Sequence, residues 1–480
     1  MKVPPMQPIE KLREYTNTVC SQIRWKKAHD AVSDEIQNHL LDQRDAYMQE
    51  GVAEHEATEQ AIADMGDPVD VGTQLDRVHR PKPQWGLLLL TLGIVLLGVL
   101  ALTLVQDDLG KHYQGLFLAG IQMKFVLMGT VTLLAIYFAD FTLIGKYPKI
   151  IYFGLLALFT LLFIWEVQNN TTPSALNKYY FFRAYCPLLF PTAYSGIIYA
   201  VRGKGIPGIL ICIAACFLPA FLAWQGPSHY PTFSGTVLIM ASGAVMLGIA
   251  ITKNWFGVKR TQSWLWAYLP FAGATVLFIS KYLRTSHDLE RIIVFLHPER
   301  DPEAGGYTAL VIKDLLENAK LVGTGTIPPR YSASPGFPLP VIHTDYLMTY
   351  IIYRMGWLAF GLIIALFLAF VFVGIWQCLK QRSILGQLVS VSVLITFTFQ
   401  TVHYIGYNLG FIMMGPMSLP LISYGGVAMV VNLGLIGLML SVFRSGNAVR
   451  DGRLSASSRQ RIISWREHRL VIGFGRKNGD

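Results

Sequence analysis

Two hydrophobic patterns divide the chain. Up to about residue 80, apolar side chains recur at helical spacing on polar segments: Ile36 with Leu40 and Leu41, then Ala57 with Ala61 and Ile62. Gly51 and Gly66-Asp67-Pro68 punctuate these segments as helix ends. The pattern predicts a soluble helical domain of three or four short helices over 1–80 and a linker over 81–85, stiffened by Arg80-Pro81-Lys82-Pro83. From Gly86 onward, apolar runs long enough to span a bilayer, about 20 residues each, follow one another. They lie at roughly 86–105, 117–138, 150–166, 184–201, 206–224, 233–252, 263–280, 347–376, 385–411 and 419–443. The expected fold is all-α: a polytopic membrane domain over 86–445 with about ten transmembrane helices, preceded by the small soluble domain.

Composition agrees with a membrane protein. Of 480 residues, 52% are apolar and only 15% charged, against about 25% charged in ordinary soluble domains. Five scattered cysteines form no disulfide framework, and Cys212 and Cys216 read as inert thiols in an apolar run. Residues 1–30 lack the apolar core of a secretory signal peptide, so the N-terminus is expected in the cytosol.

With that orientation, Lys146, Lys149, Arg202, Lys204, Lys253, Lys259, Arg260, Lys380 and Arg382 all fall on cytosolic connections. A basic cytosolic tail follows over 446–480, while Asp107 and Asp108 face outward, as the positive-inside rule requires. The net charge of +10 is then matched by membrane lipids and calls for no nucleic acid. One outer loop, 281–346, is too long for a connector, and Tyr307 to Leu321 within it can form an amphipathic surface helix.

Two clusters carry candidate chemistry. His343-Thr344-Asp345-Tyr346 directly precedes an apolar helix, so Asp345 either caps that helix or serves as a general base at the membrane surface. Pro416 to Gly426, rich in proline and glycine, opens the last helix and can present N–H groups to an anion or simply bend the packing. No Walker sequence or metal-ligand spacing is present, and Gly323 with Gly325 is a weak signal. His29, His39 and His55 read as solvated helix faces, and Trp255, Trp264 and Trp266 as an interfacial belt.

These segments resemble the SEDS family, the FtsW/RodA/SpoVE group. His343-Thr344-Asp345-Tyr346 with Gly356-Trp357 is similar to the family's HTDF…LGF segment, and Leu419-Pro420-Leu421-Ile422-Ser423-Tyr424-Gly425-Gly426 to its LPFISYGG ending. Arg291 and His297 to Pro302 resemble the opening of its large outer loop, and the front resembles permease-prefix domains. The resemblance implies polymerisation of lipid II into peptidoglycan outside the cytoplasmic membrane, alongside a class B penicillin-binding protein, in division, elongation or sporulation. It also implies a multi-pass protein of the bacterial plasma membrane, with a Gram-positive source expected.

Carried onto this chain, the family's catalytic aspartate is Asp345, and Arg291, His343, Thr344, Pro420, Ser423, Tyr424 and Gly425 bind substrate. No cofactor is assigned, and a divalent cation is the one left open. The chain departs from the pattern in places: Tyr353 and Arg354 stand where the family usually has two glutamates, and Tyr404 where it has an asparagine. A non-catalytic scaffold or regulator of wall synthesis and a lipid-carrier flippase are the alternatives.

Overall fold

The computed structural model describes residues 8–79, 83–106, 117–168, 185–224, 232–284, 286–331, 337–413, 415, 417–445, 463–466 and 469–472. Most of the Arg80–Pro83 linker, Asp107 and Asp108, Pro416 and most of the basic tail lie outside the described residues.

The front forms four helices: α1 (Pro8–Gln22), α2 (His29–Gln49), α3 (Glu54–Met65) and α4 (Pro68–His79). Leu12, Tyr15, Val19, Ile23, Val32, Ile36 and Leu40 make a core of their own. The Asp67 carboxylate accepts the N–H groups of Val69 (2.8 Å) and Asp70 (3.1 Å), and Pro68, with no N–H to satisfy, opens α4.

The membrane body comprises α5 (Trp85–Val105), α6 (Leu118–Phe138), α7 (Leu143–Lys146), α8 (Pro148–Gln168), α9 (Phe190–Val201), α10 (Ile206–Trp224), α11 (Thr232–Thr252) and α12 (Arg260–Arg284). The outer-loop helices α13 (Ser286–Leu296) and α14 (Tyr307–Glu317) come next. Then follow α15 (Leu347–Met355), α16 (Trp357–Leu379), α17 (Ile384–Asn408) and α18 (Gly426–Ser445). Among the described residues eight helices are long and apolar enough to cross a membrane: α5, α6, α8, α10, α11, α16, α17 and α18. The run at 184–201 instead yields a 3-10 turn, Cys186–Leu189, and the 12-residue α9, because Pro187 and Pro191 restart the helical turns.

Three expected boundaries are corrected. The run at 347–376 is two helices, broken at Gly356 (φ 94°). A strap from the outer loop occupies the break: Trp357 and Leu358 donate to the carbonyls of Lys320 (3.1 Å) and Leu321 (3.0 Å), and Gly325 donates to Tyr353 (2.8 Å). A side chain at 356 would begin 2.5 Å from the Leu321 carbonyl oxygen, so only glycine admits the strap. The last helix starts at Gly426, not near 419, because the preceding residues form a tight turn. The surface helix ends at Glu317, where the Asn318 side chain bonds back to the Asp314 carbonyl (2.8 Å).

The tail adds one hairpin to the all-α fold: β1 (Ile463–Arg466) and β2 (Arg469–Ile472) pair antiparallel, and their Ile, Val and Trp residues favour strands. Trp255 is buried in the core, whereas Trp266 is exposed, so the predicted aromatic belt does not include Trp255.

Two cores hold the body. One gathers α5, α6, α14 to α18 and the loop residues Leu339 and Ile342, and the other gathers α8 to α12 around Phe159, Phe190, Tyr194, Met246 and the buried thiols of Cys212 and Cys216. Within the first, α6 and α18 approach closely: a side chain at Gly437 would begin 2.5 Å from the Leu133 carbonyl oxygen. The basic connections collect at one end, where Gly203 donates to the Trp255 carbonyl (2.8 Å) and Lys253 to the Gln387 side chain (2.9 Å). The outer loop and the 417–425 turn gather at the other.

Candidate functional site

The segment carrying Asp345 is a strained turn. Val341 sits at φ 42°, a conformation costly for a β-branched residue, and its carbonyl accepts the N–H groups of Thr344 and Asp345, both at 3.0 Å. The last turns of α17 clamp this segment. The Tyr404 hydroxyl donates to the Thr344 carbonyl (2.7 Å) and accepts the Leu347 N–H (3.1 Å). The Asn408 amide donates to the Asp345 carbonyl (2.9 Å) and its oxygen accepts the Thr349 N–H (3.0 Å). Tyr404, Asn408 and Thr349 have no exposed surface.

Leu347 and Thr349 lie in the first turn of α15, where N–H groups have no partner within the helix. Tyr404 and Asn408 take both, and the residue preceding α15, Tyr346, makes no side-chain cap. Capping therefore gives no account of the Asp345 carboxylate.

The second turn packs on the first. Leu421 has φ 67°, and the Leu419 carbonyl accepts the Ser423 N–H (3.2 Å) and the Ser423 hydroxyl (3.3 Å). Tyr424 donates its N–H to the His343 carbonyl (2.9 Å), and the two rings meet edge to face at 5.5 Å. From α6, the Gln122 side chain accepts the Gly425 N–H (3.3 Å) and donates to the Ser423 carbonyl (3.4 Å). Pro420 and Ser423 are buried, so both shape the turn, while Tyr424 and Gly425 stay half-exposed.

Burial pushes the half-buried Asp345 carboxyl up to about 6, against the opposing hydrogen bond from the Thr344 hydroxyl. The same effect pushes the buried His343 imidazole down to about 4, so it is neutral at pH 7 and brings no charge to an anionic ligand. Tyr185, just ahead of the 3-10 turn, has its hydroxyl 3.8 Å from where a side chain on Gly425 would begin. Burial, with the Asp345 charge adding, pushes this phenol up to about 12.

The structure thus joins Asp345, Thr344, His343, Pro420, Ser423, Tyr424 and Gly425. Arg291 lies apart from them: exposed on α13, it lines a cavity of about 500 Å³ whose wall includes Tyr346 and Tyr407. Tyr185, Gln122, Tyr407 and Asn408 escaped the sequence reading, although polar residues near the ends of apolar runs are a usable signal. Among the described residues no three His, Cys, Asp or Glu side chains gather to hold a metal. At the departing positions, Tyr353 is buried against Phe337 (ring centroids 5.3 Å) and Arg354 is exposed.

Residues 199–448, a little over half of the chain, match the cell cycle protein family FtsW/RodA/SpoVE. The chain belongs to this SEDS family. Similar relatives include the peptidoglycan glycosyltransferase MrdB of Escherichia coli, 24% identical over 51% of this chain and 60% of the relative. Stage V sporulation protein E of Bacillus subtilis is 27% identical over 44% and 58%. The chain therefore matches about three fifths of the length of these curated relatives.

Two solved structures share the SEDS fold. A chain of a peptidoglycan synthase complex has a TM-score of 0.57 at 18% identity, covering 75% of this chain and 98% of that one. RodA of Thermus thermophilus has a TM-score of 0.50 at 16% identity, covering 76% and 98%. Both SEDS motifs, 343–346 and 419–426, fall inside the family match, and the four-helix front precedes it. With relatives in E. coli and B. subtilis, SEDS membership does not select a Gram-positive source.

Proposed function

We propose that this SEDS protein is a peptidoglycan glycosyltransferase that polymerises lipid II at the outer face of the cytoplasmic membrane, with Asp345 as general base. One observation carries the reading: Tyr404 and Asn408 take over the first N–H groups of α15, which leaves the half-buried Asp345 carboxylate beside the 419–425 turn. Ionised at neutral pH yet more basic than an ordinary aspartate, it accepts the proton of an acceptor-sugar hydroxyl. That oxygen bonds to the anomeric carbon of the donor, and the carbon–oxygen bond to undecaprenyl diphosphate breaks with its electron pair leaving on the diphosphate.

The names of the relatives support this chemistry, and the fold shared with a chain of a peptidoglycan synthase complex supports a class B penicillin-binding protein as partner. The collection of basic connections at the end opposite Asp345 supports an outward-facing 281–346 loop, with 1–80 and 446–480 in the cytosol. An impermeant thiol reagent should label a cysteine placed at Ser286 in intact cells and spare one at Ser457; the reverse pattern inverts the orientation.

The decisive experiment supplies purified full chain in detergent with lipid II and looks for glycan strands. Strands from wild type and none from Asp345→Asn are expected. A chain that makes no strands but moves labelled lipid II across liposomes is a flippase, and one that does neither is a scaffold.

A further inference from the structure

We propose that the cavity beside Asp345 is a peptide subsite, which takes a short zwitterionic peptide borne by the sugar substrate; this rests on the polymerase reading above. The cavity, about 500 Å³, lies between the outer-loop helices α13 and α14 and the end of α17, within the range of about 300–1,000 Å³ common for ligand pockets. Its wall is about as polar as it is apolar, with Glu290, Arg291, Asp301 and Thr308 set into it.

Charge selects the occupant. Two carboxylates and one guanidinium line it, so the lining is formally negative and disfavours a diphosphate. A ligand with both an ammonium and a carboxylate finds a partner for each, in charge-assisted hydrogen bonds that are stronger than neutral ones. A bare sugar would offer neither charge to these three groups.

The subsite is pre-shaped. Tyr346 and Tyr407 stack at 5.4 Å with their hydroxyls 2.6 Å apart, and an Asp301 carboxylate oxygen accepts the Gly305 N–H (2.7 Å). It also adjoins the chemistry: Tyr346 follows Asp345, and consecutive Cα atoms are about 3.8 Å apart. A sugar that delivers its hydroxyl to Asp345 can therefore extend a peptide branch into the cavity while its lipid diphosphate lies elsewhere.

The test compares lipid II with a free side-chain amine on its peptide against lipid II with that amine acetylated. Binding of a soluble short lysine-containing peptide to the full chain in detergent is measured in parallel. Acetylation should raise KM at least about tenfold for wild type, the scale of one lost charged hydrogen bond. The double variant Glu290→Gln/Asp301→Asn should use both substrates alike and bind the soluble peptide at least about tenfold more weakly. The amide oxygen introduced by Asp301→Asn keeps an acceptor for the Gly305 N–H, and an unchanged Tm shows the variant is folded.

Equal use of both substrates by wild type, with peptide binding unaffected in the double variant, overturns the subsite and leaves the polymerase reading intact. Amine-dependent peptide binding without any polymerisation overturns the polymerase reading and keeps the subsite.

Discussion

Helices α17 and α18 are 67% and 72% buried along their apolar stretches, whereas α6 and α8 are only 17% and 11% buried. All four are apolar enough to span a bilayer, yet they use their surfaces differently. The outer pair turns Leu127, Val131, Leu134 and Leu161 outward, as lipid-facing residues should. The inner pair carries polar side chains, and they are matched: Gln400 donates to Asn432 (3.0 Å) and Asn432 donates back (3.3 Å), with both residues buried. Hydrocarbon offers no hydrogen-bond partner, so polar groups at membrane depth persist only where another helix answers them. Central position is thus what lets α17 carry Tyr404 and Asn408, and through them hold the Asp345 turn.

The largest effect should come from Asp345→Asn. We expect strand synthesis to fall at least about a hundredfold, since a positioned base contributes on that scale. A variant with full activity in the lipid II assay removes Asp345 from catalysis. The same carboxyl sets the pH response: with a value near 6, wild-type kcat/KM should rise through about pH 6 and then level off. Its stability contribution has the opposite sign. A folded-state value above the ordinary one favours the neutral carboxyl, so stability is fully present below the unfolded value and is lost as pH rises through about 6. Asp345→Asn stays neutral and should therefore gain more in Tm over wild type at pH 8 than at pH 4.

Tyr404→Phe is next. It removes the hydroxyl that serves both Thr344 and Leu347, leaves a buried carbonyl and N–H unanswered, and should cost about 2 kcal/mol together with part of the activity. Wild-type Tm and kcat in this variant would show that the clamp is dispensable. Gln400→Leu should cost about 1 kcal/mol by stranding Asn432, and Gln400→Leu/Asn432→Leu should recover most of it. Val131→Ala, on the lipid-facing side of α6, should stay within about 0.5 kcal/mol; a larger loss in detergent melts would mean that this face is covered by protein.

Much of the architecture was legible in the chain. Gly66-Asp67-Pro68 marks a helix boundary because each residue acts locally: glycine takes φ 86°, the aspartate caps and the proline opens the next helix. The 419–425 turn was legible for a similar reason, through its proline and glycines, whereas the 341–345 turn stood out only by its resemblance to a SEDS motif. The Gly356 break was not, since Tyr353 to Leu358 reads as continuous apolar helix and what opens it is a strap some thirty residues upstream. Arg291 carried only an expected substrate role through the family resemblance, and α13 sets it in the cavity walled by Tyr346 and Tyr407.

By itself, the sequence determined the all-helical membrane body, the separate four-helix front, the end at which the basic residues collect and the SEDS motifs. These depend on transfer of side chains out of water and on hydrogen bonds made within a few residues, both properties of a local segment. Only the tertiary structure decided which helices are central, which groups satisfy the start of α15, that Tyr185 and Gln122 reach the site, and that Asp345 is basic enough to take a proton near neutrality. Each of those depends on neighbours far away in the chain, because burial and hydrogen bonding are set by whatever side chain arrives across the interface, and no periodicity along one segment encodes that arrival.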